Sequence, residues 1–301
     1  MRIRALTPVL LAAIVFITGP GCKTKFTPEK VSYKAASANP ELQKGKHLTQ
    51  LICAPCHLNE KTGQLSGKQL LDIPGIAGKI FSANITKDSM KGIARYTDAE
   101  LAYLIRTGVS REGKLMPYMQ RPNLSDVDLS AIINFLHSDD ELVKPSSAVA
   151  GKTKYTIFGK IGISMSEPLP YPDHEIQGPG TDKINMGRYL TDNLSCKDCH
   201  AKSILAVNIT QPEKSKGYMG GGSKFINKEG KPVRSSNITF HQTGLADWTL
   251  EDFKKAVRQG IGRNDSVLSY PMPVFKELTD TEAEAMYAYL RSIPPLKNKV
   301  K

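Results

Sequence analysis

No stretch of this sequence holds the roughly 20 consecutive apolar residues that a helix needs to cross a bilayer's hydrocarbon core. The longest apolar run, residues 8–18, is too short, and it lies between Arg2 and Arg4 on one side and Gly19-Pro20-Gly21-Cys22 on the other. A positive start, a short apolar core and a small-residue exit read as a secretory signal peptide over residues 1–22. Aromatic residues are few, 7% of the chain with a single tryptophan, and cysteines number only five. No βαβ pattern accompanies the cysteines, which excludes a thioredoxin-like reading. Two classes thus fall away, the integral membrane protein and the cytosolic redox enzyme.

What is abundant is positive charge, a formal +12. Basic chains often meet nucleic acid, but an exported one has little access to it. The charge is therefore read as a docking face for acidic protein partners or as plain solvation, and no nucleic-acid partner is expected. Cys22 sits where a bacterial lipoprotein would be cleaved and acylated, although Gly19 and Pro20 match that signal loosely. The expectation is a lipid anchor at Cys22 that holds the chain to a membrane surface facing the periplasm. The bland alternative is an ordinary cleaved signal with a stray cysteine.

The other four cysteines form two pairs, Cys53/Cys56 and Cys196/Cys199, each followed at once by a histidine, His57 and His200. Local disulfides are permitted in an exported chain, yet each would staple only a four-residue loop. The surroundings of the two motifs repeat. The first copy reads GKHL, CAPCH, NIT, GIARYTDAELAYLIRTGV and LSDVDLSAIINFL. The second reads GRYL, CKDCH, NIT, GLADWTLEDFKKAVRQGI and LTDTEAEAMYAYL in the same order. Duplication delimits two domains, 38–140 and 182–298, joined by a linker over 141–181 rich in proline, glycine and serine and without clear period. The second copy carries an apparent insertion around Gly220-Gly221-Gly222, predicted as a loop or short hairpin.

Both domains read as all-α. Thr97-x-x-Glu100, Ser125-x-x-Asp128, Thr249-x-x-Asp252 and Thr279-x-x-Glu282 are capping boxes that each open an apolar-periodic stretch. Gly108 and Gly260 stand where helices end. Leu129, Ile132, Ile133 and Leu136 make a helical core stripe, and Met286 is assigned to core packing. Modules this short and poor in aromatics need a further source of core, and a large buried cofactor would supply it.

Two thiols three apart on a helical turn share one face, where they can add to the two vinyl groups of haem while the next histidine reaches the iron. C-x-x-C-H is accordingly a c-type haem attachment signature. A zinc ribbon would hold its pairs closer together and leave the histidines idle. Two covalently bound haem c groups are expected, on Cys53 and Cys56 with His57, and on Cys196 and Cys199 with His200.

With CAPCH and CKDCH, both NIT strings, GIARYTDAEL with GLADWTLEDF, and the terminal PYM and YPMPVF segments, the chain resembles diheme c-type cytochromes built from two cytochrome c domains. It is similar to the cytochrome subunits of periplasmic alcohol and sugar-acid dehydrogenases, over about residues 40–140 and 182–296. Those subunits often carry three haems, whereas this chain has two motifs. The resemblance implies tandem class I-like domains with His/Met-ligated haem, and it places a distal ligand at Met272. In the first domain Met119 keeps the spacing of Met272 to both flanking landmarks better than Met116 does. Met116-Pro117 matches the local Met-Pro dipeptide better, so both stay open with Met119 favoured.

His/Met ligation raises a haem's reduction potential and leaves no open coordination position, which suits electron transfer and works against catalysis. The resulting expectation is a non-enzymatic electron carrier between a donor, a dehydrogenase or respiratory complex, and an acceptor such as another cytochrome or a terminal oxidase. The alternative is a diheme peroxidase, which would need one labile distal position near an acid–base group. His47, His137, His174 and His241 show no spacing for a second metal, though His241 has a minor alternative as a propionate partner or a replacement ligand. Asn84, Asn237, Tyr96 and Trp248 recur at equivalent points and fit either haem contact or supporting packing.

Overall fold

The structure, a computed structural model, describes residues 26–36, 41–73, 75–203 and 207–300. The signal segment and Cys22 lie outside the described residues. Among those residues no helix is long and apolar enough to cross a membrane.

Each half is organised around a pair of crossing helices. In the first half α1 (Glu41–Ile52) packs on α4 (Asp126–Leu136), and in the second α6 (Lys183–Asn193) packs on α9 (Asp280–Ser292). A glycine sits at each crossing. A Cβ on Gly45 would lie 2.1 Å from the Ala131 carbonyl oxygen, and one on Gly187 would lie 2.0 Å from that of Ala285. These glycines open the repeated GKHL and GRYL strings, so the duplicated letter records a duplicated backbone contact.

Between each pair lie the short motif helix (α2, Ala54–His57; α7, Cys196–His200) and a capped helix (α3, Asp98–Thr107; α8, Leu250–Gln259). Thr97, Thr249 and Thr279 form reciprocal capping boxes, and Gly108 and Gly260 end α3 and α8 at φ 81° and 70°. Ser125 caps α4 from its own side only, because Asp128 does not reciprocate. The Asp128 carboxylate instead accepts from the Tyr189 hydroxyl at 2.6 Å and pairs with Lys44. The core stripe lies where the sequence put it, with Leu129, Ile132, Ile133 and Leu136 no more than 4% exposed and Met286 at 2%.

The fold is mostly helical but not wholly so. Short strands β1 (Gln69–Leu70), β2 (Gly78–Phe81) and β3 (Lys154–Tyr155) make a small antiparallel sheet, and β4 (Lys224–Ile226) pairs with β5 (Pro232–Arg234). The β4–β5 hairpin is the one anticipated near Gly222, and it stands where the first half has β1–β2. The connecting segment is more structured than its composition suggested. It contributes β3 and a helix, α5 (Ile157–Ser164), then runs along the first half, stacking Tyr171 on Tyr103 and exchanging bonds between Ile176 and Asp126.

The halves share a seam. Leu51 of α1 belongs to the core of the second half, and Tyr189 packs against the first. Arg121 Nε donates to the Asn193 carbonyl at 3.1 Å, Asn123 Nδ2 to Asp192 at 2.7 Å, and His47 Nε2 meets Glu282 at 2.8 Å.

Two outcomes follow from this packing. Gly45→Ala and Gly187→Ala each force apart two touching backbones and should each cost about 1–3 kcal/mol in equilibrium urea unfolding; unchanged midpoints would contradict the close crossing. The Glu282 hydrogen bond raises the His47 pKa above its ordinary 6.5, while burial works against it. His47 in turn holds Glu282 below its ordinary 4.5 despite burial. The histidine's contribution is full below its unfolded pKa and fades as pH rises through the raised folded value; the glutamate's fades as pH falls below 4.5. The stability gap between wild type and His47→Gln should therefore be widest at about pH 4.5–6.5 and narrow as pH rises through the raised His47 value.

Candidate cofactor sites

In the first half Cys53 precedes α2 and its carbonyl accepts from the N–H groups of Cys56 and His57, so the motif is one helical turn. That turn sets both thiols on one face. In the second half the same turn is α7, entered through Ser195 at φ 62°. The four described cysteines are free thiols. Burial pushes Cys53, Cys196 and Cys199 up to about 12 and raises Cys56 as well, so all four stay neutral. A redox dithiol needs the opposite, an accessible thiol poised towards thiolate.

The two histidines are held alike. His57 Nδ1 lies 2.8 Å from the carbonyl oxygen of Ala83, and His200 Nδ1 lies 2.7 Å from that of Ser236. A carbonyl only accepts, so in both rings Nδ1 carries the proton and the Nε2 lone pair is free. Among the described residues neither Nε2 hydrogen-bonds to protein. Both rings are buried, which lowers their pKa and keeps them neutral.

The accepting carbonyls are themselves fixed by the residue that follows. Asn84 Oδ1 accepts from the N–H and the hydroxyl of Thr86 at 2.9 and 2.7 Å; Asn237 does the same with Thr239 at 2.9 and 2.8 Å. The Asn84 amide donates to Ser146 O at 2.6 Å, and the Asn237 amide to Leu296 O at 2.7 Å. The repeated NIT string is thus a buried turn that aims the histidine's carbonyl partner. Sequence reading singled out both asparagines without finding Ala83 and Ser236, whose role lies in the backbone and leaves no side-chain signal. Gly67 N–H bonds to His57 O at 2.9 Å and Gly221 N–H to His200 O at 2.8 Å, which repeats the framework once more.

The methionine segments are bounded by matching bonds. Met116 N–H reaches Gly108 O at 2.7 Å, as Leu268 N–H reaches Gly260 O at 2.8 Å. Downstream, Arg121 N–H reaches Ile105 O at 2.7 Å, as Phe275 N–H reaches Val257 O at 2.8 Å. Met116 therefore occupies the place of Leu268. Met119 and Met272 both lie inside the segment, each bonded back three residues, to Met116 O at 2.9 Å and Ser269 O at 3.2 Å. The first-half segment is shorter, which is why the Met-Pro dipeptide misaligns. Met272 packs against the second core, and Met119 is half-buried at the end of a 3₁₀ turn, Pro117–Met119.

The donor set fits a c-type haem in each half: paired neutral thiols on one face, a neutral imidazole with its second nitrogen unspent, and a methionine on a matching loop. No three His, Cys, Asp or Glu side chains among the described residues converge as a metal cluster, which a zinc site would require. His241 is tied into a local turn with Thr243, His174 pairs with Asp173 at the surface, and His137 faces Asp98. Tyr96 and Trp248 pack against the first and second cores.

Residues 40–136 match the family described as cytochrome c oxidase, cbb3-type, subunit III. The chain is 27% identical to the cytochrome c subunit of quinone alcohol dehydrogenase from Gluconacetobacter polyoxogenes, over 85% of this chain and 56% of that one. It is also 27% identical to the cytochrome c subunit of gluconate 2-dehydrogenase from Pantoea cypripedii, over 84% and 59%. With the cytochrome subunit of fructose dehydrogenase from Gluconobacter japonicus it shares 31% identity over 49% of this chain and 28% of that one. The chain thus spans little more than half the length of the first two relatives. Residues 40–136 hold a cytochrome c domain, and the chain is a homologue of the cytochrome c subunits of alcohol, gluconate and fructose dehydrogenases.

Proposed function

We propose that the chain is a periplasmic diheme cytochrome c that passes single electrons from a dehydrogenase partner to a further redox protein. One observation carries the second haem beyond the family match. The hydrogen-bond framework around His57 recurs bond for bond around His200, through the Ala83 and Ser236 carbonyls, the Asn84 and Asn237 turns and the Gly67 and Gly221 amides.

In this reading Cys53 and Cys56, and Cys196 and Cys199, would each hold a haem through thioether bonds. His57 and His200 would supply Nε2, and Met119 and Met272 would each supply a thioether sulfur. Bound haem supplies an iron that gains and loses one electron. The protein's part is to keep that change small. The Ala83 and Ser236 carbonyls lock the imidazole tautomer and ring plane, so neither has to reorganise when the charge changes. Burial of both rings keeps water away. With a histidine and a methionine both bound, such a group would offer peroxide no free position, and the peroxidase alternative draws no support from the relatives above.

The donor is read from those relatives, each named as a cytochrome subunit of a dehydrogenase. The signal segment and Cys22 support export and a lipid anchor at the membrane surface. No catalytic residue is assigned.

The methionine assignment is the testable core of the reading. Electron paramagnetic resonance of the oxidised protein should show two low-spin haems. Met119→Ala and Met272→Ala should each convert one of them to high spin, and Met116→Ala should convert neither. A high-spin signal in the unmodified protein, with peroxide turnover, would overturn electron transfer in favour of the peroxidase.

A further inference from the structure

The two frameworks match in their bonds and differ in their charges. The residue after the glycine that holds the proximal histidine's carbonyl is Lys68 in the first half and Gly222 in the second. The equivalence is set by hydrogen bonds. Lys68 N–H reaches Ser82 Oγ at 2.8 Å, and the N–H groups of Gly222 and Ser223 both reach Ser235 Oγ at 3.1 Å, each serine preceding the carbonyl that holds the histidine; neither Gly222 nor Ser223 carries a charge. The second place is the downstream boundary of the methionine segment, which is Arg121 in the first half and Phe275 in the second. At two matched positions the first half has a cation and the second has none.

The side chains act on the motifs accordingly. Lys68 and Arg121 both bear on His57 and Cys56, and Arg121 on Cys53 as well. Arg121 is fixed there by bonds to the carbonyls of Asn193, Tyr118 and Gln120. No charged side chain among the described residues bears on His200. The second motif faces anions: Asp198 acts on both of its cysteines, where the first motif has Pro55. Its buried cation, Lys197, acts on Cys196 ahead of Asp198, but it is shared between two carboxylates, Asp192 at 2.6 Å and Asp198 at 3.7 Å, so the cluster of three carries a net negative charge. Asp72, half-buried at the seam, faces both Cys56 and Cys199 and so acts on both motifs.

Positive charge beside a haem disfavours the ferric state and raises the reduction potential, and negative charge lowers it. We infer that the first half is the high-potential end of the chain, so that electrons run from the second half to the first. One electron leaves the second site, which is oxidised, and reduces the first. A reduced one-electron centre of a partner protein supplies the second half, and an oxidised one draws from the first. This inference rests on the diheme reading above.

The test is an optical redox titration of the full chain, made in a host that attaches haem, for wild type and four variants. Wild type should titrate in two one-electron waves. Arg121→Gln and Lys68→Gln should each lower the upper wave and leave the lower one in place, while Arg121→Lys keeps the upper wave. Asp198→Asn should raise the lower wave alone, so the gap narrows from both sides. Lys68→Gln carries the test by itself if loss of Arg121 disturbs the seam, because among the described residues the Lys68 ammonium makes no hydrogen bond to the protein. Movement of the lower wave by Arg121→Gln or Lys68→Gln, or of neither wave, would overturn the assignment. A wild-type chain carrying fewer than two haems would instead defeat the diheme reading, before any charge is altered.

Discussion

The bond from each motif histidine to a backbone carbonyl is the constraint on which the rest of the structure depends. His57 and His200 spend Nδ1 on Ala83 and Ser236 and keep Nε2 free. That division sets the tautomer, points the ring, and needs a carbonyl that does not wander. The buried asparagine after each carbonyl provides this by closing a turn on the threonine two residues on. The glycine crossings of α1 with α4 and of α6 with α9 then hold the motif helix beneath that turn. In each half the local turn, the helix packing and the donor atoms are arranged alike.

Duplication makes the architecture economical and the differences informative. The histidine, asparagine-turn and glycine-amide bonds around one motif each have a twin around the other, down to the amides of Gly67 and Gly221. Side chains at matched positions have drifted where the backbone has not, from Lys68 to Gly222 and from Arg121 to Phe275. A shared backbone framework under different charge keeps the thiols and imidazoles in place while the electrostatic setting of each motif varies. The seam ties the two settings together through Arg121, which is anchored on Asn193 in the other half while its charge bears on His57.

Much of this was legible in the sequence because it was carried by side-chain identity. CxxCH announced the thiols and the histidine. Three of four capping boxes formed as read, and the Leu129–Leu136 stripe is core. What stayed hidden was carried by backbone or by distant partners. The carbonyl of Ala83 has no residue preference behind it, so nothing in the letters marks it. Asp128 leaves its capping box because Tyr189, far along the chain, offers a hydroxyl. The all-α reading missed strands of two to four residues, too short to show a period, and the linker's proline and glycine masked α5. Between Met116 and Met119, sequence spacing leaned to Met119 while the dipeptide pointed to Met116. In the structure a hydrogen bond to the helix-ending glycine puts Met116 in register with Leu268, and Met119, like Met272, lies inside the segment.

The central claim is that both halves hold haem in the same way. It is tested most directly by haem stoichiometry, the pyridine-haemochrome spectrum of the purified full-length protein against its concentration after acid extraction of loose cofactor. Two covalent haems per chain are predicted. One would mean that the second framework serves another purpose despite its matching bonds, and none in a folded protein would contradict the account.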